Sequence, residues 1–268
     1  MRRTGPAIAA AALLLAACDP GPGGTAPAGP ATPAAPVTDV AQLVAAARAG
    51  IAEAPSAAFT TTAVLGTNTT DTPGSLGFDG STCRLTMTVD GSELRVIGKK
   101  TFTHAPAGIP GKEWVGTDPD STDPIARMAG GAIPVVAKLP DLCVALAEIE
   151  RTGRIVSAEQ TRLGDLPVDH YRLELDTAKA PELFPEFATP PLDGKPARTS
   201  TAKLPAELWL DAARRPARFT VDLSTGFPQG DPARGTTDYR DWGKPVDIQP
   251  PPADQVADLG ELMKKMGT

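Results

Sequence analysis

Apolar positions first recur at helical spacing from residue 39 onward. Val40, Leu43, Val44, Ala47 and Ile51 fall on one face. Asp39 with Gln42 three residues later resembles a capping box, and Pro55 restricts the residue before it. A helix over 39–54 is therefore predicted. Beyond it the period drops to two. Phe59 to Leu65 is rich in Thr and β-branched residues, and Leu85, Met87 and Val89 alternate with Arg84, Thr86 and Thr88. Asp90-Gly91 is a hairpin signal ahead of Leu94 and Val96. Lys99 to His104 and Glu113 to Thr117 read as further strands.

Between Asp123 and Arg151 the spacing lengthens again. Ile125, Met128, Ile133, Val136, Leu139, Leu142, Leu146 and Ile149 predict two short helices, broken near Gly130-Gly131, Pro134 and Pro140. Strands resume at Arg154 to Arg162, a turn at Gly164-Asp165-Leu166-Pro167, and His170 to Asp176. Leu204 to Leu210, Ala217 to Leu223 and Thr236 to Trp242 continue the series. A last helix is expected after Pro250-Pro251-Pro252, with Val256, Leu259, Leu262 or Met263 and Met266 on one face. Asp254 and Asp258 sit early in that segment and Lys264 and Lys265 late, as a helix dipole favours. Few helices and many consecutive strands point to an α+β chain with an antiparallel sheet.

The N-terminus carries a different message. Arg2 and Arg3 precede an apolar run, Ile8 to Ala17, well short of the roughly 20 residues that span a bilayer. The run ends in Leu15-Ala16-Ala17-Cys18, which matches a bacterial lipobox. We expect residues 1–17 to be a signal peptide and Cys18 to be acylated, holding the chain on the extracytoplasmic face of the cell membrane. Residues 18–36 then form a Pro/Gly/Ala linker unable to bury a core. Its eighteen residues after the cysteine reach up to ~56 Å if extended as polyproline II, or ~25 Å on average as a flexible coil. Residues 37–268 are expected to form one domain.

Charge and cysteines narrow the partners. Net charge is −6 with pI ≈ 5.0, and removing residues 1–17 with their two arginines takes it to −8. Such a chain is a poor match for nucleic acid or for a basic membrane-binding patch, so attachment falls to acyl chains, of which more than one is needed for a stable hold. With Cys18 assigned to the anchor, Cys83 and Cys143 remain, either as a disulfide in an oxidising compartment or as two buried free thiols.

Catalytic signatures are weak. The chain has two histidines, His104 and His170, both in predicted strands, and lacks a Gly-x-Ser-x-Gly elbow. Ser200-Thr201-Ala202-Lys203 fits Ser-x-x-Lys, but Pro196 and Pro205 flank it and the partner motifs are missing. Asp118, Asp120 and Asp123 offer oxygen ligands without the glycine and distal Glu of a calcium loop. We therefore expect no enzyme, no cofactor and no metal.

Several segments, taken in order, resemble the actinobacterial LppX/LprAFG lipoprotein family. They are the lipobox and first helix; Lys112-Glu113-Trp114-Val115 with Asp118-Pro119; Gly164 to Tyr171; Leu208-Trp209-Leu210-Asp211; and Tyr239 to Val246 running into the proline stretch. The resemblance implies a LolA/LolB-like half-barrel, a strongly curved antiparallel sheet with helices packed on its concave face. It also implies binding of a lipid or acylated glycolipid in the cavity, for trafficking through the envelope. The chain departs from that family in Cys83/Cys143 and in a Pro-rich insertion around Pro181 to Pro205. Candidate cavity residues are Leu85, Met87, Val89, Ile125, Met128, Val136, Leu173, Leu175, Leu208, Leu210, Phe219 and Val221, each also a core position on an interior face. Ile125, Met128, Ile133, Val136 and Leu139 read either as a lid hinged at Gly130-Gly131 or as two core helices joined by a simple loop. The alternative is a non-catalytic interaction or sensor module, with a filled core and an acidic surface turned to an envelope protein partner.

Overall fold

The computed structural model describes residues 35–80, 82–109, 111–118, 120, 135–180, 188–189, 198–199, 202–226 and 232–259. Helix α1 (Val40–Glu53) begins at Asp39, whose carboxylate accepts the Gln42 N–H at 2.9 Å, and stops at Ala54 ahead of Pro55. Leu43, Val44, Ala47 and Ile51 are buried, as the spacing predicts. A single helical turn, Val135–Lys138, leads into helix α2 (Leu142–Thr152), whose N-cap Asp141 accepts the Cys143 and Val144 N–H groups. Helix α2 passes directly into a strand at Gly153. A Cβ there would lie 2.4 Å from the Ile149 carbonyl, so the junction requires glycine.

The strands are β1 (Ser56–Leu65), β2 (Asn68–Asp79), β3 (Thr82–Val89), β4 (Ser92–Ile97), β5 (Lys100–Ile109) and β6 (Lys112–Thr117). After α2 come β7 (Gly153–Leu163), β8 (Leu166–Asp176), β9 (Ala188–Thr189), β10 (Arg198–Thr199), β11 (Lys203–Leu210), β12 (Pro216–Asp222), β13 (Ala233–Arg240) and β14 (Val256–Asp258). Twelve of them form one open sheet in the order β14-β6-β5-β4-β3-β2-β1-β13-β12-β11-β8-β7, antiparallel throughout except for the parallel β14/β6 pair. β9 and β10 pair separately. Asp90 and Gly91 both take positive φ (50° and 79°), the conformation of a type I′ hairpin turn, as the Asp-Gly pair foretold.

The sheet curls. β3 and β8 stand six places apart in the order, about 29 Å at ~4.8 Å per strand. Helix α2, whose 11 residues extend about 16 Å, nonetheless touches both. Only a sheet wrapped around the helix allows this, and the fold is the α+β half-barrel with helices on its concave face. One continuous core fills that face, from Leu76, Leu85 and Val96 through Phe59 and Tyr239 to Leu208, Tyr171 and Leu175, with α1 and α2 laid across it. Leu139 sits on Gly235, where a Cβ would come within 2.4 Å of its Cδ2. The Thr237 and Tyr239 hydroxyls donate to the Leu139 and Pro140 carbonyls. Val37 N–H donates to the buried Tyr171 hydroxyl at 3.2 Å, pinning the chain just ahead of α1 to β8.

Three expectations change. β2 was not predicted; its outward residues are polar, and Pro73, Gly74 and Gly77 hide the pattern. Leu166 and Pro167 are not turn residues, since they open β8 and pair with Leu163 and Arg162. The expected last helix does not start at Val256. The described part is a 3-10 turn (Ala253–Gln255) followed by β14, with Leu259, the last described residue, already helical, while 260–268 lie outside the described residues. The bare edge of β6 accounts for this: a parallel strand satisfies its peptide groups, and the β-branched Val256 fills the space above Gly116.

The segment before β14 is a strap over the outer face. Gly243 N–H donates to Ser56, Val246 and Ile248 cover Gly77 of β2, Arg95 of β4 donates to the Gln249 carbonyl, and Lys112 of β6 donates to the Asp254 carbonyl. Beneath it Trp114 is buried between the Arg95 guanidinium (4.4 Å from the ring centroid) and the His104 ring.

Candidate functional site

Leu85, Met87, Leu173, Leu175, Leu208, Leu210, Phe219 and Val221 are all at most 7% exposed and belong to the one core; Val89 is half-buried against it. Ile125 and Met128, and the Gly130-Gly131 hinge, lie outside the described residues, as does the side chain of Val136. None of the nine described candidates lines any of the three cavities described next. Across the described residues the concave face is filled by the chain's own side chains.

Among the described residues, a cleft of about 520 Å³ opens on that side between the two helices and the end of β2. Arg48, Ile51 and Ala52 come from α1, Leu142, Cys143 and Leu146 from α2, and Pro55, Phe78 and Gly80 from the start of β1 and the end of β2. Ile51, Leu142 and Leu146 are on the buried stripes of their helices and supply its apolar depth. Phe78 forms a wall, its ring stacked on Trp242 at 6.0 Å, and the Trp242 indole N–H is fixed by the Pro216 carbonyl. Arg48 is the one charged residue among the nine, and its guanidinium meets Glu150 of α2 at 2.7 Å. A cleft of this size, aliphatic in its depth and with one charged side chain among its described lining residues, has the dimensions of a small-ligand site.

Cys83 of β3 and Cys143 of α2 are joined, with Cα atoms 5.8 Å apart, so the disulfide fastens one wall of the cleft to the sheet. Asp141 lies beside it. Its carboxyl is within 4.8 Å of both sulfurs, but sulfurs bonded to each other are not metal ligands. Burial pushes the Asp141 carboxyl up to about 6, against the pull of the two N–H groups it caps. Burial also raises the Tyr239 hydroxyl, with the Asp141 charge adding to the shift.

A larger groove, about 930 Å³, opens on the outer face between the strap and β4–β6. Ile97, Phe102, Val256, Pro250 and Pro251 line it, but so do five charged residues, four of them in the pairs Lys99–Asp120 (2.9 Å) and Lys100–Asp118 (3.1 Å). The Asp120 N–H and then Lys100 lower the Asp118 carboxyl. These are hydrated loop charges, and we place the site in the cleft instead. A third cavity, about 440 Å³, lies between β2 and the strap and carries Asp79 and Arg84.

The histidines are held structurally. His170 is stacked on Trp209 at 4.4 Å, with Glu159 and Glu207 on its two nitrogens. Lys203 opens strand β11 and pairs with Glu174, so the lysine of the Ser-x-x-Lys match lies on a strand, while Ser200 and Thr201 lie outside the described residues. Sequence reasoning missed Arg48, Phe78 and the cleft itself. The i, i+2 pair Leu76 and Phe78 was a strand signal within a polar stretch; Arg48 had none, being an ordinary surface position of an amphipathic helix.

No family model matches the chain, and no curated protein matches it. Solved structures do show likeness. The lipoprotein LppX of Mycobacterium tuberculosis is similar at 12% identity over 78% of this chain and 98% of its own, with a TM-score of 0.45. LprF from Mycobacterium bovis is similar at 15% identity over 81% and 99%, TM-score 0.38. In the MucA/MucB complex of Pseudomonas aeruginosa the match is 12% over 81% of this chain and 62% of that one, TM-score 0.37. At these identities and scores the likenesses carry no functional weight. The half-barrel stands on its own strand order and helix contacts.

Proposed function

We propose that this chain is a lipid-anchored protein of the extracytoplasmic membrane face that shelters one acyl chain in the cleft between α1, α2 and β2, without catalysis. In this reading residues 1–17 are removed, Cys18 carries the anchor, 18–36 are the tether and 37–268 the binding domain. Among the described residues no helix is long and apolar enough to cross a membrane. The observation that carries the proposal is the cleft: about 520 Å³ of unfilled space with buried aliphatic depth, beside a core that the described residues pack with their own side chains. Its size suits a single chain better than a multiply acylated glycolipid. Each methylene moved from water into it gains roughly 0.8 kcal/mol. Transfer from a bilayer, itself apolar, is nearly neutral, which suits reversible handover.

Two measurements test this. Intact mass of the membrane-extracted protein should show loss of residues 1–17 and an acylated Cys18, both abolished by Cys18→Ala. The Cys18→Ser protein should bind a fluorescent long-chain probe and carry lipid in native mass spectrometry, and Ala52→Trp, which fills the cleft, should remove both signals. Absence of probe and lipid alike would leave the second reading, an interaction module for an envelope protein, which the filled concave face favours.

A further inference from the structure

We infer that the ligand is a long-chain carboxylate and that Arg48 recognises its headgroup by exchanging Glu150 for it; this rests on the acyl-binding reading above. Among the described residues, Arg48 is the single charged one on a cleft otherwise lined by apolar and small residues such as Ile51, Phe78 and Leu146. A cleft bounded in this way fits an amphiphile whose one polar group ends beside that guanidinium. Arg48 already holds a carboxylate. Its Nη2 meets Glu150 Oε2 at 2.7 Å, and the pair is half exposed, 50% and 42%, at the side-chain level.

An exposed ion pair of this kind is weak and exchanges with solvent and solutes. A ligand carboxylate replaces Glu150 one for one, with the same charge and the same planar fork for the guanidinium, while its chain enters the cleft. Glu150 then returns to water. The headgroup must also approach a strongly acidic chain, net −8 without residues 1–17, where Arg48 offers local positive charge. A neutral ester or glycerol headgroup has nothing to gain from that exchange, so charge sorts ligands that the apolar depth alone does not tell apart.

The test uses the full mature chain carrying Cys18→Ser, with cis-parinaric acid and its methyl ester as probes. The acid is expected to bind more tightly than the ester, and Arg48→Gln to weaken the acid about fivefold while shifting the ester by less than twofold. Glu150→Gln, which removes the internal competitor, is expected to tighten the acid and leave the ester unchanged. Added salt should weaken the acid alone. If Arg48→Gln leaves the acid-to-ester ratio unchanged, or if a lysophosphatidate displaces the acid in an Arg48-dependent way at lower concentration, the carboxylate assignment is overturned. If neither probe binds, the acyl-binding reading itself has failed.

Discussion

Asp141 offers the sharpest test of the energetics. It caps α2 from a position only 6% exposed, between the disulfide and Tyr239, and burial raises its carboxyl from 3.8 to about 6. The folded state thus holds the proton more tightly than the unfolded chain does. The associated stability is fully present below about pH 4, is lost as pH climbs toward 6, and stays lost above that. Two units correspond to about 3 kcal/mol. Asp141→Asn keeps an oxygen acceptor for the Cys143 and Val144 N–H groups and removes the ionisable group. We expect urea unfolding, disulfide intact, to show the two proteins within about 1 kcal/mol of each other at pH 4. At pH 7.5 the Asn variant should be about 1–3 kcal/mol more stable, the upper figure being reduced by the weaker neutral cap. Other carboxylates titrate in both proteins and cancel in the difference. Parallel stability curves from pH 4 to 7, or a less stable Asn variant at pH 7.5, would show that desolvation is not what governs this carboxyl.

Other perturbations probe packing and the cross-link. Gly50→Ala lies mid-helix, where alanine normally adds about 0.5–1 kcal/mol, but its Cβ would stand 2.6 Å from the Ala213 carbonyl. Thermal melts should therefore show destabilisation by about 1–3 kcal/mol, and a gain would mean that the 213–214 loop yields easily. Replacing Cys83 and Cys143 together by Ala should cost roughly 4 kcal/mol in the chain-entropy account of a 60-residue separation, read by urea unfolding against the oxidised parent. Phe59→Ala, at the fully buried centre of the sheet, should cost about 3–5 kcal/mol by the same measurement.

Much of the fold was readable where period and punctuation agreed. Asp39 and Pro55 bracket α1 because a cap and a breaker act locally, and Asp90-Gly91 specifies its turn through two positive φ angles. β2 was not readable, since Gly74 is glycine to admit the Phe59 ring, whose Cζ would be 2.2 Å from a Cβ there. That requirement belongs to a neighbouring strand. Val256 has helical spacing with Leu259, yet pairs with β6 because an unpaired edge is a tertiary fact. The interior faces were identified correctly as apolar. Whether Leu85 or Leu208 fills space or lines it depends on how far α1 and α2 descend onto the sheet, which no spacing encodes. Arg48 matters only through the gap that those helices leave.

The seam between β1 and β13 joins strands about 175 positions apart along the chain, as in Thr61 facing Thr237. Strands β1 to β6, all of the β2 side but the late edge strand β14, are synthesised well before their lateral neighbour β13 exists. During synthesis, β1 therefore waits as a bare ladder edge, attractive to any other extended chain, until β13 has emerged. Losing the final forty described residues would leave two unjoined half-sheets, each with a raw flank. Such a protein depends on being kept apart from its own copies until the closing strand arrives.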